Sequence, residues 1–156
     1  MTKEQKSQFT LRITEANATE LVVILYDMAL VYLEEGMQAE SEEDFFGAVR
    51  KTRGCINELL SSLHVEYEVA QQMQKLYLFC IRRLATAGRK KDKAPLQEVQ
   101  KILQPLRDAY AQIAGQNTSE PVMKNTQTVY TGLTYGKTAS LQESLTDGES
   151  GRGMFV

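Results

Sequence analysis

Apolar positions recur at helical spacing through most of the chain and predict four helices between residues 17 and 115. The first begins at Asn17, because Glu20 follows three residues later and the two side chains can form a capping box. Ser41 precedes an acidic first turn, and Pro95 marks the start of the fourth helix. Short links favour antiparallel neighbours, so we expect an all-α protein built as an antiparallel up-and-down four-helix bundle.

The first predicted helix is apolar almost all the way round. Asp27 is the only charge among the thirteen residues between Glu20 and Glu34. At about 100° per residue, the apolar side chains divide into two stripes. The first stripe consists of Leu21, Leu25, Met28 and Tyr32, and the second of Val22 or Val23, Tyr26, Leu30 and Leu33. One stripe can enter the bundle core, whereas the other needs a different cover, since apolar surface left in water costs about 25 cal/mol per Å².

Either the helix is central in the bundle and the leftover stripe is buried there, or the stripe has one of three covers: the N-terminal segment FTLRI, the C-terminal tail, or a partner protein. We expect residues 1–16 to form a flexible N-terminal segment and residues 17–115 the bundle. Residues 116–156 are rich in Thr, Ser and Gly, which predicts a mostly disordered tail. Four apolar residues of this tail are candidates for folding back over the groove: Val129, Tyr130, Leu133 and Tyr135.

Composition narrows the functional classes. The formal net charge of −2 gives no reason to expect a nucleic-acid-binding protein. The basic stretch RRLATAGRKKDK is interpreted as the end of a helix followed by a solvated loop, and a nucleic-acid patch is the less favoured reading. The first fifteen residues carry no signal-peptide pattern, and the thirteen-residue apolar run is shorter than the roughly 20 residues that cross a bilayer. A cytoplasmic protein is therefore expected.

Residue types that support catalysis or metal binding are scarce. His64 is the only histidine, and the chain has no E-x-x-H pair of the kind that holds metals in helical bundles. The segment GLTYGKT is one residue short of a phosphate-binding loop. Cys55 and Cys80 do not form a CxxC motif and are expected to be reduced and buried, with a disulfide as the alternative. We expect no enzyme activity, no cofactor and no metal.

Two stretches of the sequence carry a resemblance to a known family. They are NATELVVILYDMALVYLEE and LLSSLHVEYEVAQQMQKLYLFCIRRLATA. Together they resemble the flagellin-specific export chaperones of the FliS family, which typically read A-S-P-E-E-L followed by L-Y-D-G-A-I, and later E-Y/G-E-I-A, L-Y and M-x-R-R-L. The order and spacing of these motifs agree over residues 9–114, about two thirds of the chain.

The resemblance implies a binding protein and not an enzyme. Members of this family hold the disordered C-terminal segment of flagellin in the cytoplasm, prevent its premature polymerisation and hand it to the flagellar export apparatus. A one-to-one complex with that segment is therefore expected. An amphipathic segment of this kind can place its apolar side chains in a groove between chaperone helices.

For the flagellin groove we expect the leftover stripe of the first helix together with residues near the second turn. The predicted binding residues are Val23, Tyr26, Asp27, Leu30, Leu33, Leu63, Tyr67 and Val69. Asp27 is expected to orient Tyr26 or to accept a hydrogen bond from the partner backbone, and a solvated flank position is the alternative. The competing functional hypothesis is a helical-bundle adaptor or dimerisation module, in which the leftover stripe pairs with another copy or a different partner.

Overall fold

A computed structural model describes residues 1–123 of the chain, which form five helices and no strand. The helices are α1 (Lys3–Glu15), α2 (Ala18–Gln38), α3 (Glu42–Ser61), α4 (Glu68–Lys90) and α5 (Ala94–Gln116). The all-α prediction is confirmed for this part of the chain. Of the tail predicted to be disordered, residues 116–156, positions 124–156 lie outside the described residues. Gln116 ends α5, and residues 117–122 form hydrogen bonds with Ala16, Asn17 and Thr19. Within residues 1–123, none of the helices combines the length and the apolar character needed to cross a membrane.

Helices α2 to α5 form a ring in which each helix packs against two neighbours. The neighbouring pairs are α2 with α3, α3 with α4, α4 with α5 and α5 with α2, so α2 and α4 face each other diagonally across the core. The large side chains at the centre are fully buried: Tyr26, Leu33, Ile56, Leu59, Tyr77, Leu84, Leu96 and Leu103. Every helix of the ring contributes to this core, and α1 packs only against α2.

The last turn of α2 lies very close to its neighbours because it contains Gly36. A Cβ atom at this position would lie 2.9 Å from Leu96 Cδ1 and 3.3 Å from Ala48 Cβ. Gly36 thus allows α2 to pack closely against α3 and α5 at this end of the bundle, beside the short link to α3. The predicted capping box at the other end of α2 is present, since the side chains of Asn17 and Glu20 each accept a hydrogen bond from the other residue's backbone N–H.

The N-terminal segment, predicted to be flexible, is instead a helix. Thr2 and Gln5 form a capping box at the start of α1, and Phe9 is its one buried residue. Phe9 and Ile13 pack against Ile24 of α2. The sequence pattern missed this helix because α1 is largely polar and carries too few apolar residues to show a helical stripe. It is stabilised by capping and by contact with α2, neither of which periodicity reveals.

Residues 117–123 follow α5 and return across the junction between α1 and α2. The Asn17 side chain donates hydrogen bonds of 3.4 Å to the backbone carbonyls of Asn117 and Ser119. The backbone N–H of Val122 donates to the carbonyl of Ala16 at 2.8 Å. The chain therefore leaves the described structure beside the first turn of α2, at the end of the bundle where α5 ends and α4 begins.

Candidate docking surface

The structure separates the eight predicted binding residues by exposure. Val23, Tyr26 and Leu33 are buried, whereas Leu30, Leu63 and Asp27 are partly buried and Tyr67 and Val69 are exposed. The predicted residues thus do not form one continuous open groove. Those on α2 belong mainly to the interior, and the exposed ones lie at the start of α4.

Tyr26 is placed at the centre of the bundle and not in an open groove. Its side chain is 0% exposed, and its hydroxyl is hydrogen-bonded to the hydroxyl of Tyr77 on the diagonal helix. The ring of Tyr110 lies 5.7 Å from the Tyr26 ring, between centroids. Burial raises the pKa values of all three tyrosines above the ordinary value. The assignment of Tyr26 and Leu33 to an open stripe is therefore wrong, because both complete the core.

One flank of α2 is covered by α1. Ile24 is buried with Phe9 and Ala16, and Leu21, Met28 and Val31 pack against this small cluster. The stripe with Tyr26 enters the bundle, contrary to the sequence prediction. The first stripe is divided: Leu21 and Met28 pack against the cluster that α1 covers, whereas Leu25 and Tyr32 pack against the bundle core. Among the described residues, the segment FTLRI covers this flank through Phe9 and Ile13.

Asp27 joins three helices through two ion pairs. Arg107 Nε of α5 donates to one carboxylate oxygen and Arg12 Nη2 of α1 donates to the other, each over 2.7 Å. The hydrogen bond to Asp27 is the main cause that raises the pKa of the Arg107 guanidinium, partly offset by desolvation. Both oxygens of Asp27 are thus paired with guanidinium groups, which differs from the roles expected for it: orienting Tyr26, binding a partner backbone, or facing solvent.

An open apolar surface lies along α4 and α5. We call it the α4–α5 strip and define it by the exposed residues Val69, Leu76, Phe79, Pro105 and Ile113. Val69 is 71% exposed and Ile113 is 53% exposed, high values for aliphatic residues on packed helices. Since isolated apolar residues are normal on a protein surface, the strip matters because its members are neighbours.

The register of the two helices brings these residues together. Val69, Leu76 and Arg83 follow at intervals of seven, so they lie along one flank of α4. Arg83 forms a bidentate ion pair with Glu98 of α5, over 2.8 and 3.0 Å, so this flank faces α5. The helices are antiparallel, because the Tyr110 hydroxyl of α5 donates to Met73 Sδ of α4 at 3.3 Å, far from the Arg83–Glu98 pair.

This register sets the two ends of the strip. Continuing it from Met73 and Tyr110 by one turn places Ile113 opposite Val69. The Arg83–Glu98 pair closes the strip at one end. At the other end it opens towards the turn between α3 and α4, where Tyr67 is 64% exposed. Tyr67 and Val69, the two exposed residues among those predicted, therefore lie at the open end of the strip.

Sequence reasoning missed most of the strip. Leu76, Phe79, Pro105 and Ile113 are not among the eight residues predicted to bind. A signal was present in the sequence, since the apolar residues of α4 occupy more than one stripe. Leu76 and Leu78 are two residues apart and lie about 200° apart around the helix, so they cannot share one buried face. Which flank stays open depends on the packing of α5.

Cys55 and Cys80 are buried and do not form a disulfide, as predicted. Burial raises the pKa of Cys55 to about 11 and that of Cys80 to about 12. These thiols are therefore protonated near neutral pH and pack as small apolar groups. Within residues 1–123, no three His, Cys, Asp or Glu residues come close enough together to hold a metal ion.

Comparison with known proteins identifies the family. A search of individually curated proteins finds no match. The family model described as "Flagellar protein FliS" matches residues 1–117, which include all five helices. The match covers three quarters of the 156 residues, including the two stretches on which the resemblance was based. The chain is therefore a member of the FliS family of flagellar chaperones.

Proposed function

We propose that this protein binds the C-terminal segment of flagellin in the cytoplasm, as a one-to-one complex, and presents it to the flagellar export apparatus. The family gives the general client class. The observation that carries the proposal is the α4–α5 strip, an apolar surface left open on an otherwise packed bundle. A bound client segment would be kept from pairing with other flagellin subunits, which prevents premature polymerisation.

The dimensions and chemistry of the strip suit an amphipathic segment. Val69 and Phe79 are ten residues apart, so the strip runs for about 15 Å along α4, equivalent to about three turns of a client helix. Three turns present apolar anchors at i, i+3 or i+4, and i+7, the pattern used when a helix lies in a groove. The exposed polar residues between these positions include Gln72 and Lys75, and the long Lys75 side chain can keep its ammonium group in water beside a bound client.

Calorimetry with a synthetic flagellin C-terminal peptide tests this proposal. Each strip side chain that is covered by the peptide contributes on the order of 1 kcal/mol, so replacing two of them should weaken binding clearly. We expect Val69→Ser with Leu76→Ser to lower the affinity at least tenfold and to leave the thermal melting temperature nearly unchanged, since both residues are exposed. Absence of binding by the unmodified protein at tens of micromolar would contradict the proposal.

Leu78 provides a matched control. It lies in the same helix, is 38% exposed like Leu76, and points to the opposite flank of α4. Leu78→Ser is expected to bind the peptide as the unmodified protein does, whereas Leu76→Ser alone should weaken binding. Equal losses in the two variants would show that general changes in α4, and not the strip, determine affinity.

A helical adaptor or dimerisation module is the second candidate, since the same strip could pair with a second copy. Light scattering on the isolated protein separates the two functions. A monomer at low micromolar concentration that forms a one-to-one complex with the peptide supports the chaperone. A stable dimer that the Leu76→Ser change dissociates supports the module instead.

A further inference from the structure

The α4–α5 strip raises the question of what covers it when no client is bound. We propose that the chain's own C-terminal segment Val129–Tyr135 occupies the strip and competes with the client. Three observations on the described residues and the sequence support this inference: the place where the chain leaves the bundle, the number of residues between that place and the segment, and the chemistry of the segment itself.

The chain leaves the bundle at the end where the α4–α5 strip is open. Val122 is hydrogen-bonded to Ala16, beside the start of α2. Helix α5 ends and α4 begins at this same end, so the open end of the strip, with Tyr67 and Val69, is there too. A segment that follows Met123 therefore starts at the same end of the bundle as the open end of the strip and does not need to travel along the bundle.

The connection is long enough. Val129 lies six positions after Met123, and an extended chain covers about 3.3–3.6 Å per residue, so the reach is about 20 Å. Neighbouring packed helices lie about 8–10 Å apart, which makes the diagonal of a four-helix ring about 14 Å. The strip lies nearer than this diagonal, because it is bordered by α5, which packs directly against α2.

The segment also has suitable chemistry. Residues 125–136 carry no charged side chain, in a tail whose later residues include both acids and bases. In an extended conformation, alternate residues share one face, so Val129, Leu133 and Tyr135 would all face the strip. Residues 129–135 would then span about 20 Å, against about 15 Å for the distance along α4 from Val69 to Phe79. Gly132 and Gly136 disfavour a helix here.

Tethering favours this segment over a second copy of the chain. A short linker gives an effective concentration in the millimolar range, whereas a separate molecule is present at its actual, micromolar concentration. At equal intrinsic affinity, occupancy of the strip by the segment of the same chain is therefore favoured about a thousandfold over occupancy by a second copy. A client has to displace it, so the tail sets a threshold for client binding.

Photo-cross-linking of the full chain without client tests the inference. A benzophenone amino acid is introduced in place of Phe79, on the strip, or in place of Arg53, exposed on the outer side of α3. We expect the Phe79 position to form an intramolecular cross-link to the peptide that contains residues 128–136, identified by mass spectrometry in the monomer band. No such link, or equal links from both positions, would overturn the inference.

Substitutions in the tail provide the matched pair. Val129→Asp with Leu133→Asp is expected to abolish the cross-link and to raise client affinity at least threefold. Thr138→Asp with Gln142→Asp adds the same charge at the same spacing outside the segment and should change neither quantity. Equal behaviour of the two double variants would contradict the inference.

The cross-link does not depend on the proposed client, so the two hypotheses can fail separately. In one outcome, the cross-link from Phe79 forms, and excess flagellin peptide binds without abolishing it. The tail contact is then supported, and the flagellin site lies elsewhere. In the other outcome, the cross-link does not form, but the protein binds flagellin peptide and this binding depends on Leu76. The proposed function is then supported, and the tail contact is contradicted.

Discussion

Helices α2 and α4 face each other across the bundle, and both carry more apolar residues than the core can take. On α2 the extra residues lie on the flank with Ile24 and Met28, and α1 covers them. On α4 the extra residues lie on the flank with Val69 and Leu76, and no additional helix within residues 1–123 covers them. The more hydrophobic helix is therefore the better covered one.

This difference shows that local hydrophobicity is a poor guide to which surface stays open after packing. Another segment of the same chain packs over a strongly apolar helix, because exposure of its apolar surface to water costs free energy. A mixed helix such as α4 keeps a narrow apolar flank open at lower cost, since polar residues such as Gln72 and Lys75 separate the apolar ones. A search for a binding surface should start from exposure after packing and not from the most apolar stretch.

The largest expected effect on the free energy of unfolding comes from comparing a buried residue with an exposed one. Tyr26→Ala should lower the free energy of unfolding by about 3–5 kcal/mol, because it empties a fully buried site and leaves the Tyr77 hydroxyl without its partner. Val69→Ala should change it by less than about 0.5 kcal/mol. Urea denaturation monitored by circular dichroism measures both. A small loss for Tyr26→Ala would mean that this residue does not belong to the core.

The cover of α2 can be tested next. Phe9→Ala removes the one buried side chain of α1, and we expect a cost of about 2 kcal/mol that is confined to α1. Hydrogen exchange should become faster at the α1 amides and remain unchanged in α3, α4 and α5. Leu11, which is exposed on the same helix, provides the control through Leu11→Ala. Faster exchange throughout the protein would show that α1 is part of the cooperative core.

The ion pairs of Asp27 should contribute less. Asp27→Asn weakens the contacts to Arg12 and Arg107, and because both arginines are partly exposed we expect a loss of about 1 kcal/mol. The loss should shrink in 1 M salt, which screens exposed charges. Thermal melts of the variant and the unmodified protein at low and high salt test this. An effect that is independent of salt would indicate that hydrogen-bond geometry, and not charge, accounts for the stabilisation.

The buried thiols are expected to have the smallest effect on stability near neutral pH. The folded-state pKa values of Cys55 and Cys80, about 11 and about 12, lie above the ordinary value of about 8.5. The unfolded chain therefore releases thiol protons at lower pH than the folded chain, so this contribution to stability is complete below about pH 8.5 and decreases above it. A thiol reagent at pH 8 should react slowly with the folded protein and rapidly in urea. Rapid reaction without urea would show that a cysteine is accessible.

The sequence predicted the helices of the ring well because their signals are local. The capping pair of Asn17 and Glu20 fixed the start of α2, and periodicity identified the later helices. Helix α1 was missed because its stability depends on contact with α2. Among the predicted binding residues, Tyr67 and Val69 are exposed and lie at one end of the proposed docking surface, whereas Tyr26 and Leu33 are buried in the core.

What the sequence alone determined is the fold class, the family resemblance and the presence of two apolar stripes on α2. Periodicity and capping act over one helix turn, so they can be read without a partner. Which stripe entered the core was decided only by the tertiary structure, because both stripes have similar hydrophobicity and the choice depends on the positions of α1, α4 and α5. The open flank of α4 was decided in the same way, by the register in which Arg83 meets Glu98.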